Sequence, residues 1–154
     1  MKQSYFIRKN TPELRNKLKE LGYHICPCAL FEDSAWLCIN FITNEPTIHG
    51  IGYVDEDYTG RKTVPEELDF FLYENSKSKN PWIDCGENEQ LFLAIAALRD
   101  DTNKYQWFTN GRLWEKCESD LPSKYMQMYG HKATIEELID HFKVIELIQK
   151  TYEN

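Results

Sequence analysis

Residues 105–117 read Tyr105-Gln106-Trp107-Phe108-Thr109-Asn110-Gly111-Arg112-Leu113-Trp114-Glu115-Lys116-Cys117. Asn-Gly between two aromatic-rich runs is the strongest short hairpin signal, because both central residues of the tight turn that suits twisted strands take positive φ. A two-residue loop sets Thr109 opposite Arg112, Phe108 opposite Leu113, Trp107 opposite Trp114, Gln106 opposite Glu115 and Tyr105 opposite Lys116. Side chains alternate along a strand. Tyr105, Trp107, Arg112, Trp114 and Lys116 therefore share one face, and Phe108, Leu113 and Cys117 share the other, which can pack on helices. The aromatic and cationic face is the candidate binding surface. Its competing role is to join the core, in which case at least one of two directly opposed tryptophans is largely buried while Arg112 stays accessible.

Helix signals surround the hairpin. Thr134-Ile135-Glu136-Glu137 is a capping box, in which a hydroxyl and a carboxylate satisfy each other's backbone N–H groups, and it opens a helix bearing Leu138, Ile139 and Phe142. Near the start of the chain, Thr11-Pro12-Glu13 supplies an N-cap, a proline at the first helical position and an acid in the first turn. Leu14, Leu18 and Leu21 recur on one face until Gly22 ends that helix. Residues Tyr23 to Cys26, Ala35 to Ile42 and Thr47 to Tyr53 read as strands, and a helix begins near Val64 with Leu68, Phe71 and Leu72 on its apolar side. Ser76 to Pro81 is polar and aperiodic, the best internal boundary. Trp82-Ile83-Asp84 then reads as a short strand before a helix capped by Asn88.

The pattern repeats. Thr11, Leu14, Leu18 and Leu21 recur 77 residues later as Asn88, Leu91, Ile95 and Leu98, and Glu66-Glu67-Leu68 recurs as Glu136-Glu137-Leu138. Two diverged β-α-β-β(-β)-α units, 1–75 and 81–154, within one compact domain overall would produce this; the rival explanation is the general likeness of amphipathic helices. Both lead to the same class, α+β, with antiparallel sheet and helices on one face.

The runs Tyr5-Phe6-Ile7, Asn10-Thr11-Pro12-Glu13-Leu14-Arg15, Leu18-Lys19-Glu20-Leu21-Gly22-Tyr23, Ile83-Asp84-Cys85-Gly86 and Gly130-His131-Lys132-Ala133-Thr134-Ile135-Glu136-Glu137-Leu138 carry a resemblance. Over most of its length the chain resembles short uncharacterised proteins of gut Bacteroidota and of their phages and prophages. The shared motifs are caps and turns, so the resemblance implies a setting, an accessory protein of a mobile element, and no catalytic residue.

Composition narrows the remaining classes. At 154 residues, 42% hydrophobic and 14% aromatic, the chain has the means to fold, unlike a disordered one. No apolar run follows Met1, and the longest, Leu91 to Leu98, is far short of the ~20 residues a membrane span requires, so neither export by a leader nor a membrane partner is expected. Five cysteines without a regular framework suit reduced thiols, and a cytoplasmic location is expected from them. A net charge of −7 argues against coating nucleic acid, whose phosphates are held by clustered Lys and Arg. The early cations up to Lys19 and the run Asp55-Glu56-Asp57 read as solvated surface.

Motifs with chemical content are weak. His24-Ile25-Cys26-Pro27-Cys28, with Cys38 and His49, offers zinc-type ligands, but Cys26 and Cys28 are one residue apart and no second pair follows. Cys117 with His131 is the first thiol–imidazole pair to test, yet no nucleophile signature surrounds it. The acids at 55–57 and 66–67 are explained by solvation and by a helix first turn, and Gly50-Ile51-Gly52 lacks the rest of a phosphate-binding loop. No catalytic residue, metal or cofactor is assigned. The expected function is a non-catalytic accessory or interaction protein that binds a macromolecule, a protein before a nucleic acid, through Tyr105, Trp107, Arg112, Trp114 and Lys116. Two alternatives stand beside it. One is a nucleic-acid or nucleotide binder arranged like the double-stranded-RNA-binding fold, with Gly60-Arg61-Lys62-Thr63 and Gly130-His131-Lys132-Ala133-Thr134 before the closing helices. Against it, Glu66-Glu67 and Glu136-Glu137 stand where that fold grips phosphate. The other is a hydrolase without a recognised motif.

Overall fold

The computed structural model describes residues 4–25, 36–39, 47–51, 73, 77, 79, 81–99 and 102–153. The chain divides into two compact units, Met1–Glu89 and Gln90–Asn154. Four helices and two sheets among the described residues make the class α+β.

In the first unit, strands β1 (Tyr5–Ile7), β2 (His24–Ile25), β3 (Trp36–Ile39), β4 (Thr47–Ile51) and β5 (Ile83–Asp84) form one sheet in the order β2-β4-β3-β1-β5. β1 pairs antiparallel with β3 and parallel with β5, and Tyr5, Phe6 and Ile7 are all fully buried. A strand covered on both faces reads as an unbroken apolar run, which is what Tyr-Phe-Ile is. Helix α1 (Pro12–Glu20) starts as its sequence dictates: the Thr11 hydroxyl accepts the Leu14 N–H at 3.1 Å, Leu14 and Leu18 are buried, and Gly22 leaves the helix at φ +100°. The Tyr5 and Tyr23 hydroxyls lie 3.5 Å apart in the core. Burial pushes the Tyr5 phenol well above its ordinary pKa, and Tyr23 and Cys85 add to the shift.

One ion pair ties the ends of β1 and β5 together, and a second follows it in the chain. Arg8 donates to both carboxylate oxygens of Asp84, at 2.6 and 3.3 Å, with its guanidinium 4.8 Å above the Trp36 ring. Lys9 reaches Glu89 at 2.8 Å. Trp36 also stacks on Phe6 with ring centroids 5.5 Å apart, so this tryptophan is a packing residue. The short strand at 83–84, read from sequence as the opening of a second unit, completes the first sheet. Its backbone is committed there, because the Ile83 N–H donates to Ser4 and the Cys85 N–H to Phe6. The division accordingly falls after Glu89. Cys26, Cys28, the acidic run at 55–57, the basic run at 60–63 and the helix expected near Val64 lie outside the described residues.

The second unit begins within helix α2 (Glu89–Ala96), which buries Leu91, Phe92, Ala94, Ile95 and Ala96. Strands β6 (Trp107–Thr109), β7 (Trp114–Lys116) and β8 (His131–Lys132) form an antiparallel sheet in the order β7-β6-β8. Helices α3 (Lys124–Tyr129) and α4 (Ile135–Glu153) follow β7 and β8. Among the described residues no helix is long and apolar enough to cross a membrane.

The hairpin forms, but with a different register. Thr109 pairs with Trp114, Phe108 with Glu115 and Trp107 with Lys116, so the two tryptophans are diagonal neighbours and the loop is 110–113. The cause is the side chain of Asn110. Its Oδ1 accepts the N–H groups of Arg112 and Leu113 at 2.9 and 2.8 Å, while the Thr109 hydroxyl accepts the Gly111 N–H and donates to the Leu113 carbonyl. Gly111 alone in this loop takes positive φ, at +97°, so the turn in which both central residues do so does not form. A shift of two residues preserves the side each strand residue faces; Arg112 and Leu113 pass into the loop, and Tyr105, Gln106 and Cys117 flank the paired segments.

Candidate functional site

The face holding the tryptophans is covered by α4. Trp107 meets Phe142 edge-on at 5.5 Å, and Trp114 stacks on His141 at 3.9 Å with the rings 16° from parallel. Both tryptophans are half-buried. The entry of α4 is fixed by the expected capping box. Thr134 N–H donates to the Glu137 carboxylate at 3.1 Å, and Glu137 N–H donates to the Thr134 hydroxyl at 3.2 Å. His131 Nε2 donates to the same carboxylate at 2.8 Å. Burial pushes the Glu137 pKa up, but the bonds from Thr134 and His131 outweigh it and hold the carboxyl below its usual range. Burial lowers the pKa of His141.

Tyr105 lies at the edge of this face. Its backbone takes φ +70°, its N–H donates to the Cys117 carbonyl, and the ammonium groups of Lys104 and Lys116 stand 5.1 and 5.5 Å from its ring centroid. Thus Tyr105 and Lys116 are together, Trp107 and Trp114 are occupied by α4, and Arg112 is exposed at the hairpin tip.

The opposite face holds Phe108 and Cys117, buried with Met126 of α3. Gln106 is 1% exposed, and its amide nitrogen donates to the Arg99 and Thr102 carbonyls, so both side-chain donors are satisfied. The Cys117 thiol donates to the Ser119 carbonyl, and His131 is taken by Glu137, so the thiol–imidazole pair considered from sequence is not brought together. Among the described residues no group of three or more His, Cys, Asp or Glu could hold a metal ion.

Helix α3 is the part that sequence reading missed. Six residues are under two turns, too few to show a helical period, although Ser123 before it and Gly130 after it are start and stop signals. The Ser123 hydroxyl accepts the Met126 N–H at 3.3 Å. A Cβ on Gly130 would sit 2.5 Å from the Met126 sulfur, so glycine there makes room for the helix's one buried side chain. The rest of the helix faces outward: Tyr125 is 47% exposed, Met128 72% and Tyr129 63%. Leu113 in the hairpin loop (56%) and Leu121 before the helix (69%) are exposed as well. Five of the seven exposed large hydrophobic side chains among the described residues therefore fall between 113 and 129. Contacts tie α3 to the hairpin and its tyrosines to each other: the Asn110 amide donates to the Tyr125 hydroxyl at 2.8 Å, the Tyr125 and Tyr129 rings are 5.2 Å apart, and the Ser123 N–H donates to Glu115 of β7.

No protein-family model, no curated protein and no solved structure matches the chain.

Proposed function

We propose that the chain is a non-catalytic interaction protein that docks a partner protein on the outer face of α3. The observation that carries this reading is the clustering of Leu113, Leu121, Tyr125, Met128 and Tyr129, exposed on a helix that buries only Met126. Water-exposed apolar clusters are uncommon on a protein that acts alone and mark interaction surfaces, and Tyr, Met and Arg are the residue types enriched there. The resemblance to phage and prophage proteins supports an accessory role in a mobile element. Cys38, Cys85 and Cys117 are buried and outside any disulfide, which supports a reducing compartment such as the cytoplasm. The test is affinity purification from cells that encode the chain, comparing wild type with Met128→Gln/Tyr129→Gln. A partner protein recovered with wild type and lost with the variant, at unchanged melting temperature, is the expected result. Identical recovery from both overturns the reading.

A further inference from the structure

Three exposed cations lie around the apolar surface of α3. Arg112 adjoins Leu113 at the hairpin tip, Lys124 is the first residue of α3, and Lys132 pairs in register with Phe108, on the side of the sheet that α3 covers. All three are exposed, and among the described residues none has a carboxylate partner. Of the acids in this part of the chain, Glu115 accepts the Ser123 N–H, Asp120 the Thr102 hydroxyl and Glu137 the His131 ring, while Glu118 is exposed.

Resting on the docking role above, we propose that the α3 face takes an acidic segment of a partner protein. Its apolar side chains sit on Tyr125, Met128 and Tyr129, and its carboxylates reach Arg112, Lys124 and Lys132. Unpaired cations around an apolar centre attract an acidic partner and repel a basic one, which gives specificity as well as a faster encounter. Methionine suits a peptide-seating surface because its flexible, polarizable side chain adapts to the shape laid on it. A nucleic acid is the weaker occupant: three cations are few for a row of phosphates, and the chain as a whole, at net −7, repels a polyanion. Three cations are likewise few to hold a chain of net −7 on a phosphate-rich bilayer.

The test selects a random dodecapeptide display library on the full chain, with counter-selection on Met128→Gln/Tyr129→Gln. Enriched sequences should be net acidic with Leu or Phe interspersed. A synthetic representative should weaken as salt rises from about 50 to about 200 mM, and by about fivefold or more on Arg112→Glu/Lys124→Glu/Lys132→Glu. The exposed α4 substitution Lys143→Glu should leave it unchanged, with circular dichroism verifying that every variant is folded. Neutral or basic sequences that still depend on residues 128 and 129 would overturn the acidic assignment while leaving the docking role in place. If no peptide depends on those residues but phosphatidylserine vesicles, oligouridylate or a second copy of the chain does, that occupant replaces the peptide. If none of the four probes depends on them, the docking role itself fails.

Discussion

The two helices that cover opposite faces of the β7-β6-β8 sheet are built on different terms. Helix α4 has 19 residues, enters through a reciprocal capping box, buries Leu138 and Phe142, and lies against both tryptophans. Helix α3 has six, buries Met126 alone, and turns Tyr125, Met128 and Tyr129 to water. A helix of six residues is well below the ~12–15 at which isolated helices become even marginal, so α3 is held by its Ser123 cap, by Met126 and by the Asn110–Tyr125 bond. Leu138 and Phe142 of α4 act in the fold. The side chains on the outside of α3 do not, and this difference separates a structural element from a surface available to a partner.

The comparison breaks most readily at its structural end. Phe142→Ala should cost about 3–4 kcal/mol in denaturant titrations of the full chain, since Phe142 is buried and sits edge-on to Trp107. A loss under about 1 kcal/mol, the scale of an ordinary surface change, would mean that α4 is not the stabilising partner of the sheet. On the other side, Gly130→Ala forces a methyl group against the Met126 sulfur, and about 1–2 kcal/mol is expected from such overpacking. Wild-type stability in that variant would show that Met126 is not confined.

The caps contribute less. Thr134→Ala removes the hydroxyl that accepts the Glu137 N–H and should lower stability by about 1 kcal/mol. The acid dependence follows from the same groups. Both His141 and Glu137 have folded pKa values below their unfolded ones, so the unfolded chain binds protons more readily and stability falls as pH falls. His141 contributes fully above its ordinary value of 6.5 and loses that contribution as pH drops through and below it; Glu137 does the same below its ordinary value of 4.5. Melting temperature against pH should decline in these two stages. His141→Phe, which keeps a ring against Trp114, should remove the upper stage, and Glu137→Gln the lower. A profile unchanged by either substitution would refute the assignment.

What the sequence disclosed was local. The cap at Thr11, the box at Thr134 and the faces of the hairpin strands follow from interactions within a few residues, and their geometry is as read. The hairpin register was misread because Asn110 closes a longer loop with its side chain, a choice the Asn-Gly dipeptide does not reveal. The place of residues 83–84 was hidden for another reason. Strand pairing across a long separation in sequence depends on backbone geometry, and two residues carry no pattern that names β1 as their partner. In the candidate site, the sequence left Trp107 and Trp114 open between a binding surface and a place in the core, because nothing in it names His141 and Phe142 as the residues that meet them. The face of α3 was invisible: its residues show no period, and only after folding is Met126 inside while Met128 is out.

The smallest expected effect on stability is the most informative about function. Met128→Gln/Tyr129→Gln should shift unfolding free energy by no more than about 0.5 kcal/mol, because both side chains are mainly in water and neither belongs to the buried Phe108, Cys117 and Met126 cluster. Burying such side chains against a partner removes apolar surface from water at roughly 25 cal/mol per Å², so the same double substitution should weaken association severely. Stability and binding thus respond in opposite proportion at the two helices: Phe142→Ala unfolds before it unbinds, and the α3 variant unbinds without unfolding. If the α3 variant instead loses about 2 kcal/mol or more in a denaturant titration, its side chains are packing residues, and the distinction between the two helices disappears.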